Sequence, residues 1–127
     1  MTSSKATPPP YDVVYTETAE AEIAEAYDWL SGFSFDSADR WLDGLQTAVL
    51  SEAARRAAVP GIRGLAAESA SFPDRDIFVL LYQTRGGSPW RVLFDLWDSD
   101  EDGHVDTLRV LRLRHGARRR SSTMEEE

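Results

Sequence analysis

Apolar and polar positions change their spacing several times along the chain, and each change marks a predicted element. Residues 11–15 (YDVVY) are aromatic and β-branched, which is typical of a short strand. From Thr16, apolar residues at positions 19, 23, 26, 27 and 30 repeat at helical spacing. Gly32 and residues 34–37 (SFDS) interrupt this pattern, and positions 38, 41, 42, 45 and 49 restore it until about Ala58. The first half therefore predicts a strand followed by an antiparallel helical hairpin.

The second half carries strand patterns. Residues 77–83 (IFVLLYQ) are continuously apolar until the last position, which predicts a buried central strand. A glycine-containing loop follows, then residues 90–97 and residues 105–114 alternate in part, with an acidic turn between them. In residues 110–114, alternation places Arg112 and Arg114 on one face with Val110, and the two leucines on the other. The order β-α-α-β-β-β predicts an α+β fold.

Length and composition set the domain count and exclude several classes of protein. The chain has 127 residues, which suits one domain over residues 11–119, with a disordered leader (1–10) and a disordered tail (120–127). Absence of cysteine excludes disulfides, thiolate nucleophiles and cysteine-bound metal, and favours a reducing, cytoplasmic location. The longest apolar run, residues 77–82, is far shorter than the ~20 residues of a membrane helix. No membrane association and no processing are expected.

Charge is segregated along the chain. The net charge of -8 argues against broad affinity for nucleic acid. Residues 16–52, however, carry nine acids and one arginine, whereas residues 109–120 carry six arginines and no acid. That basic stretch is either a solvated edge or a surface for an anionic partner. The candidate binding residues are Arg109, Arg112, Arg114, Arg118 and Arg119, followed by Arg120.

The last two predicted strands resemble a known family. Residues 90–95 (WRVLFD) and residues 110–118 (VLRLRHGAR) are similar to the closing strands of the RelE/ParE superfamily of type II toxin-antitoxin toxins. Upstream, residues 38–45, Pro60 and residues 65–68 (LAAE) resemble its second helix, the proline that ends that helix, and an acidic element before the next strand. The resemblance covers residues 11–119. It implies a helical hairpin packed on a small, mainly antiparallel sheet, in agreement with the periodicity.

The resemblance also implies function and partners. A toxin of this kind inhibits growth by binding a cellular target such as DNA gyrase, and a cognate antitoxin protein neutralises it. The alternatives are a ribosome-dependent mRNA endonuclease and a decayed, non-toxic member kept as an interaction module. For the endonuclease, Arg91, Arg112 and His115 are the candidate catalytic residues, with Arg63, Arg114 and Tyr82 as further members. No cofactor is expected.

Three positions have competing structural explanations. Arg91 stands in an apolar strand and needs a partner, and we predict a structural ion pair with Glu68. A histidine such as His115 at a strand end commonly serves packing and hydrogen bonding instead of catalysis. Asp98, Asp100 and Asp102 match the start of an EF-hand calcium loop, but Arg109 stands where the bidentate glutamate is required. We therefore predict no metal and an ordinary hairpin turn there.

Overall fold

The computed structural model describes residues 9–59, 65–72, 74–84 and 89–115, except the side chains of residues 67 and 68. Its elements are β1 (Asp12–Tyr15), α1 (Glu17–Ser31), α2 (Phe35–Ala58), a short 3-10 helix (Ala67–Ser71), β2 (Phe78–Tyr82), β3 (Trp90–Trp97) and β4 (Thr107–His115). The α+β class is confirmed: two helices pack on a small, mixed, four-stranded open sheet. Nearly all of the predicted leader and the whole predicted tail lie outside the described residues.

Both helices begin at a capping hydroxyl. The Thr16 side chain accepts a hydrogen bond from the Ala19 N–H at 3.1 Å, and Ser34 accepts one from the Ser37 N–H at 3.2 Å. Because Ser34 satisfies a free N–H group of the first turn, α2 begins at Phe35. The prediction that residues 34–37 only separate the helices is therefore wrong. Tyr27 of α1 donates to Asp39 of α2 at 2.6 Å and joins the two helices.

The sheet has the strand order β1-β4-β3-β2, with β1 parallel to β4 and the other two pairs antiparallel. The prediction that residues 77–83 form a central strand is wrong, because β2 is the last strand of the described sheet, next to β3, and has only an isolated bridge from Phe78 to Leu65 on its other side. Leu81 is accordingly 60% exposed. The apolar composition of β2 has another cause. Phe78 and Leu80 pack against the main core under the helices, whereas Val79 packs in a second cluster on the opposite sheet face.

A β-bulge in β4 changes which side chains share a face. Leu93 pairs with Arg112 but Phe94 pairs with Val110, so that Leu111 is an extra residue in the ladder. Val110 and Leu113 both belong to the core under the helices, whereas Leu111 packs in the second cluster. The predicted grouping of Leu111 with Leu113 is therefore wrong, because one extra residue reverses the side-chain alternation beyond it.

The core lies between the helical hairpin and the inner face of the sheet. From α2 it takes Trp41, Leu45 and Val49, which recur at helical spacing and are nearly inaccessible to solvent. The central strands contribute Val92, Phe94, Leu108, Val110 and Leu113. Since the helices cover only this inner face, the opposite face of β3 and β4 is left for polar side chains and the second cluster.

Candidate functional site

Arginines predicted as functional residues meet on the sheet face that is turned away from the helices. We call this the outer face and define it by Arg91 and Asp95 of β3 and by Arg109, Arg112 and Arg114 of β4. Their strand neighbours Val92, Phe94, Leu108, Val110 and Leu113 point into the core, so these five side chains take the other side. The outer face therefore joins residues from two strands that are separated along the chain.

A buried carboxylate holds two arginines at one end of the outer face. Asp95 is only 3% exposed, and Arg109 donates to its two carboxylate oxygens at 3.0 and 2.8 Å. Arg75 donates to the same carboxylate at 3.1 Å, and the Arg109 guanidinium lies 4.9 Å from the centre of the Trp97 ring. The hydrogen bonds from Arg109 to Asp95 raise the pKa of Arg109. Arg109 is thus fixed by a paired, stacked arrangement within the sheet.

Arg112 is also paired, at the edge of β4. Beyond the end of β1, no strand in the described part of the chain pairs with this side of β4, and Glu22 of α1 bonds to it instead. Glu22 accepts the Leu113 N–H at 2.8 Å and the Arg112 guanidinium at 2.7 to 3.1 Å. These bonds raise the pKa of Arg112. One carboxylate therefore satisfies the strand backbone and neutralises Arg112.

Arg114 differs from these two arginines. It lies directly opposite Arg91 in the β3–β4 ladder, so two guanidinium side chains extend from adjacent positions. Arg114 lines a cavity of about 360 Å³ with Arg75, Arg112 and the apolar side chains of the second cluster. Its Nε is buried and has no hydrogen-bond partner among the described residues. A buried donor without an acceptor is costly, so this cavity is suited to an anion.

Other predicted residues fall partly or wholly outside the described part of the chain. Arg118, Arg119 and Arg120 lie there, so their contribution to the basic surface stays a prediction. Arg63 lies there too, and its place in the catalytic set of an endonuclease stays a prediction. The side chain of Glu68 is likewise not described, and its ion pair with Arg91 stays a prediction. Arg91 itself is partly buried on the outer face.

His115 lies on the opposite side of the sheet from Arg114. It pairs with Trp90 in the ladder, and the centres of their rings are 4.3 Å apart. Tyr82 donates to the Trp41 carbonyl at 2.9 Å on this same inner side, and burial raises the pKa of Tyr82. Of two cavities beside the sheet, one is lined by His115 on the inner side and the other by Arg112 on the outer face. His115 is thus separated from Arg91 and Arg112 by the thickness of the sheet.

The acidic turn between β3 and β4 is organised by its own backbone. Carboxylate oxygens of Asp98, Asp100 and Asp106 come within 4.8 Å of one another. The two Asp98 oxygens, however, already accept the N–H groups of Asp102 at 3.2 Å and Gly103 at 2.7 Å. Gly103 has a φ of 90°, a conformation that favours glycine in a turn.

A buried ion pair on α2 was not predicted from the sequence. Glu52 is 5% exposed and Arg56 is 3% exposed, and the Arg56 Nε donates to Glu52 at 2.6 Å. The Arg56 guanidinium lies 4.4 Å from the centre of the Phe78 ring. Its burial could have been predicted from the spacing, because residues 52 and 56 continue the helical repeat of the buried apolar residues 45 and 49.

Comparison with known proteins adds no family assignment. No protein-family model matches the chain, and no curated protein is significantly similar to it. Within the described residues, no helix has both the length and the apolar character needed to cross a bilayer.

Proposed function

We propose that the protein is a RelE/ParE-like toxin of a type II toxin-antitoxin pair, which inhibits growth by binding a cellular target through the outer face. A cognate antitoxin with an acidic segment neutralises it by covering the same face. Two features support this proposal. The element order and the helical hairpin packed on a small sheet agree with what the sequence resemblance implies, and the outer face brings together Arg91, Arg112 and Arg114 of that resemblance.

The observation that carries the proposal is the state of Arg114. Asp95 engages Arg75 and Arg109, and Glu22 engages Arg112, whereas the buried Nε of Arg114 has no acceptor within the described residues. A carboxylate or phosphate at the cavity would accept from this Nε and from neighbouring guanidiniums. The apolar floor of Ile77, Leu93 and Leu111 lowers the local dielectric constant and strengthens such a contact.

The arrangement favours binding over RNA cleavage. General acid-base catalysis needs a proton-transferring group within hydrogen-bond reach of the reacting atoms, but His115 lies across the sheet from the arginine cavity. Arg112, another of the three predicted catalytic residues, is neutralised by Glu22. We therefore favour a target such as DNA gyrase, for which the toxin needs to perform no chemistry of its own.

Controlled induction in a bacterial host tests this proposal. We expect growth arrest and altered plasmid supercoiling, with messenger RNA left intact. Arg114→Gln should relieve the arrest, because it removes the guanidinium without emptying the cavity. Arg55→Gln on α2, whose side chain is 55% exposed, is the matched control and should remain toxic. Unimpaired growth at confirmed expression of the folded protein would overturn the toxin proposal.

The antitoxin is tested by co-expression with the short open reading frame expected beside the gene. Its product should restore growth and copurify with the protein, and Arg114→Gln should weaken the complex whereas Arg55→Gln should not. Copurification without any growth effect would instead support the decayed member kept as an interaction module.

One observation favours the endonuclease as a second candidate: Arg75, Arg112 and Arg114 border one cavity, where a phosphorane-like transition state would find cations. Primer extension on messenger RNA after induction distinguishes the two functions. Cleavage within codons that disappears with Arg114→Gln would replace the binding mechanism by the nuclease mechanism.

A further inference from the structure

A second cavity, of about 560 Å³, lies on the inner side of the sheet near the turn between the helices. Tyr82, Trp90 and His115 are consecutive register partners across β2, β3 and β4, so their rings form a row at the same level of the sheet. Trp41 of α2 lies below this row, 5.1 Å from Trp90 and 6.4 Å from Tyr82 between ring centres. Trp29 of α1 faces His115 at 6.2 Å. The cavity is therefore bordered by aromatic rings from five elements.

The cavity also has one buried donor with no acceptor. Trp41 is 5% exposed, and its Nε1 makes no hydrogen bond to the part of the chain that the structure describes. The backbone carbonyl of Trp41 accepts from Tyr82 at 2.9 Å, so the residue is held in position from another side. Buried indole N–H groups normally have a partner, and leaving one unsatisfied costs about 1–3 kcal/mol. An acceptor supplied by a ligand would remove that cost.

A cation stands at the rim of the same cavity. Arg40 of α2 lines it, its side chain is 73% exposed, and its nearest carboxylate, Asp36, is 3.9 Å away on the surface. Surface pairs of this kind contribute little, so Arg40 can turn to a ligand at small cost. The cavity thus offers stacking surfaces and an N–H donor inside, and a guanidinium outside.

We propose that this aromatic cavity binds a nucleotide: the base stacks on the exposed ring of Trp29 beside Tyr82 and His115 and, after a small side-chain shift, accepts from the buried Trp41 Nε1, while the phosphate lies at Arg40. Base edges carry ring nitrogen and carbonyl acceptors, which apolar amino-acid side chains lack. Stacking of a base on aromatic side chains is worth about 1–3 kcal/mol, and the volume suits a small ligand. This site is independent of the outer face, because the two lie on opposite sides of the sheet.

The full-length protein is titrated with each of the four nucleoside monophosphates, with ribose 5-phosphate as the probe without a base and adenosine as the probe without a phosphate. Tryptophan fluorescence reports directly, because three of the four tryptophans line the cavity. We expect saturable quenching with at least one nucleotide, weaker binding of adenosine, and no binding of ribose 5-phosphate. In a proton-nitrogen NMR spectrum, the indole resonance that Trp41→Phe removes should shift on binding.

Two variants separate the contacts. Trp41→Phe keeps a ring but removes the donor. Arg40→Gln removes the cation at a side chain that is 73% exposed, where a substitution should change stability little. Each should weaken nucleotide binding by about tenfold, in line with a lost hydrogen bond to a ligand. Arg55→Gln should change nothing. Growth inhibition by Arg40→Gln should persist if the outer face is the toxic surface, so failure of one proposal leaves the other testable.

Short single-stranded RNA and DNA oligonucleotides distinguish the source of the base. Tighter binding of an oligonucleotide with the same dependence on Trp41 and Arg40 identifies an unpaired base in a strand, and preference for the mononucleotide identifies a free ligand. The proposal is overturned if no nucleotide or oligonucleotide saturates, if Trp41→Phe binds as well as the original protein, or if an aromatic peptide occupies the cavity and the nucleotides do not.

Discussion

At the scale of single residues, the least expected feature is a charged pair on the face of α2 that packs against the sheet. Glu52 and Arg56 occupy positions where leucine or valine would fit the pattern, and both are almost inaccessible to solvent. Glu52 also accepts from Arg55 at 3.1 Å, so one carboxylate serves two guanidiniums. Such an arrangement is tolerated because each charge is paired, and it becomes costly once a partner is lost.

Replacing Glu52 by Gln should therefore destabilise the fold severely. The change keeps the side-chain size but removes the carboxylate charge to which the buried Arg56 Nε donates at 2.6 Å, and we expect a loss of about 3–5 kcal/mol in the free energy of unfolding. Urea denaturation followed by circular dichroism measures it. Arg55→Ala, which removes an exposed partner of the same carboxylate, should cost under about 1 kcal/mol. Equal losses of stability in the two variants would contradict the inference that the buried Arg56, and not the exposed Arg55, depends on the Glu52 charge.

A second residue-scale prediction concerns Gly44 of α2. Gly→Ala inside a helix normally stabilises by up to about 1 kcal/mol. At position 44, however, the new Cβ would overlap the Tyr82 hydroxyl oxygen and would lie 3.3 Å from the ring carbon that bears it. The Tyr82 ring would have to move and would lose its hydrogen bond to the Trp41 carbonyl. We expect Gly44→Ala to lower stability by about 1–2 kcal/mol.

A double-mutant cycle with Tyr82→Phe checks this cause. Phenylalanine lacks the hydroxyl that the Cβ would overlap, so Gly44→Ala should be much less harmful in the Tyr82→Phe background. Thermal unfolding of the four proteins gives the coupling between the two sites. Additive effects would show that the overlap is not the cause.

At the scale of elements, the open edge of β4 shows how a helix can complete a sheet. The Thr16 backbone and hydroxyl bond to the carbonyls of Val110 and Leu111, and Glu22 takes the next free N–H, that of Leu113. An uncovered edge offers pairing positions to other chains. Here α1 covers the edge where β1 ends.

Glu22→Ala should therefore weaken the β4 edge. It leaves the Leu113 N–H and the Arg112 guanidinium without their acceptor, and we expect a loss of about 1–3 kcal/mol by chemical denaturation. Glu25→Ala, an exposed acid of the same helix, should stay within about 0.5 kcal/mol of the original protein. A comparable loss for Glu25→Ala would indicate a general effect of helix charge instead.

The stability of the acidic turn between β3 and β4 should depend on pH. Desolvation acts to raise the pKa of Asp98, but N–H groups of Gly103 and Asp102 bond to its carboxylate and bring the pKa below the usual 3.8. Hydrogen bonds from Thr107 and Ser99 lower the pKa of Asp106. Because both values are lower in the folded protein, their stabilisation is present above the unfolded value and is lost as the pH falls through the folded values.

We expect the amide resonances of Asp102 and Gly103 to move together in NMR spectra as the pH is lowered from about 6 to about 2, with a midpoint below the usual carboxyl pKa. Asp98→Asn keeps an acceptor but cannot titrate, so it should suppress the movement. A midpoint at or above the usual value would contradict the assignment of these hydrogen bonds.

At the scale of the whole molecule, the net charge is -8, and the described acidic and basic residues are distributed unevenly between the two sides of the sheet. The acidic helical hairpin lies on the inner side, and the arginines of β3 and β4 lie on the outer face. A negatively charged body can therefore present a basic surface to an anionic partner. The uneven distribution of charged residues, and not the net charge, decides which partners the protein attracts.

Anions that bind the outer face should stabilise the folded state. We expect phosphate to raise the melting temperature by a few degrees relative to chloride at equal ionic strength, by linkage between binding and folding. Arg114→Gln should abolish the difference, whereas Arg55→Gln should retain it. An equal rise in both variants would show a general salt effect on the acidic hairpin.

The sequence by itself determined the elements and their order. Periodicity identified both helices and all four strands, because each amphipathic face repeats locally along the chain. The α+β class followed from that order, and the arginines of the closing strand predicted a basic binding surface there.

Only the tertiary structure decided which charges are neutralised and which side chains share a face. The edge position of β2, the bulge at Leu111 and the separation of His115 from Arg112 depend on pairing between distant strands, which no local pattern encodes. Likewise, Glu22 and Arg112 are 90 residues apart in sequence, so their bond exists only because α1 folds across the edge of β4. Pairing across such distances distinguishes Arg114 from its neighbours, although all of them look alike in the sequence.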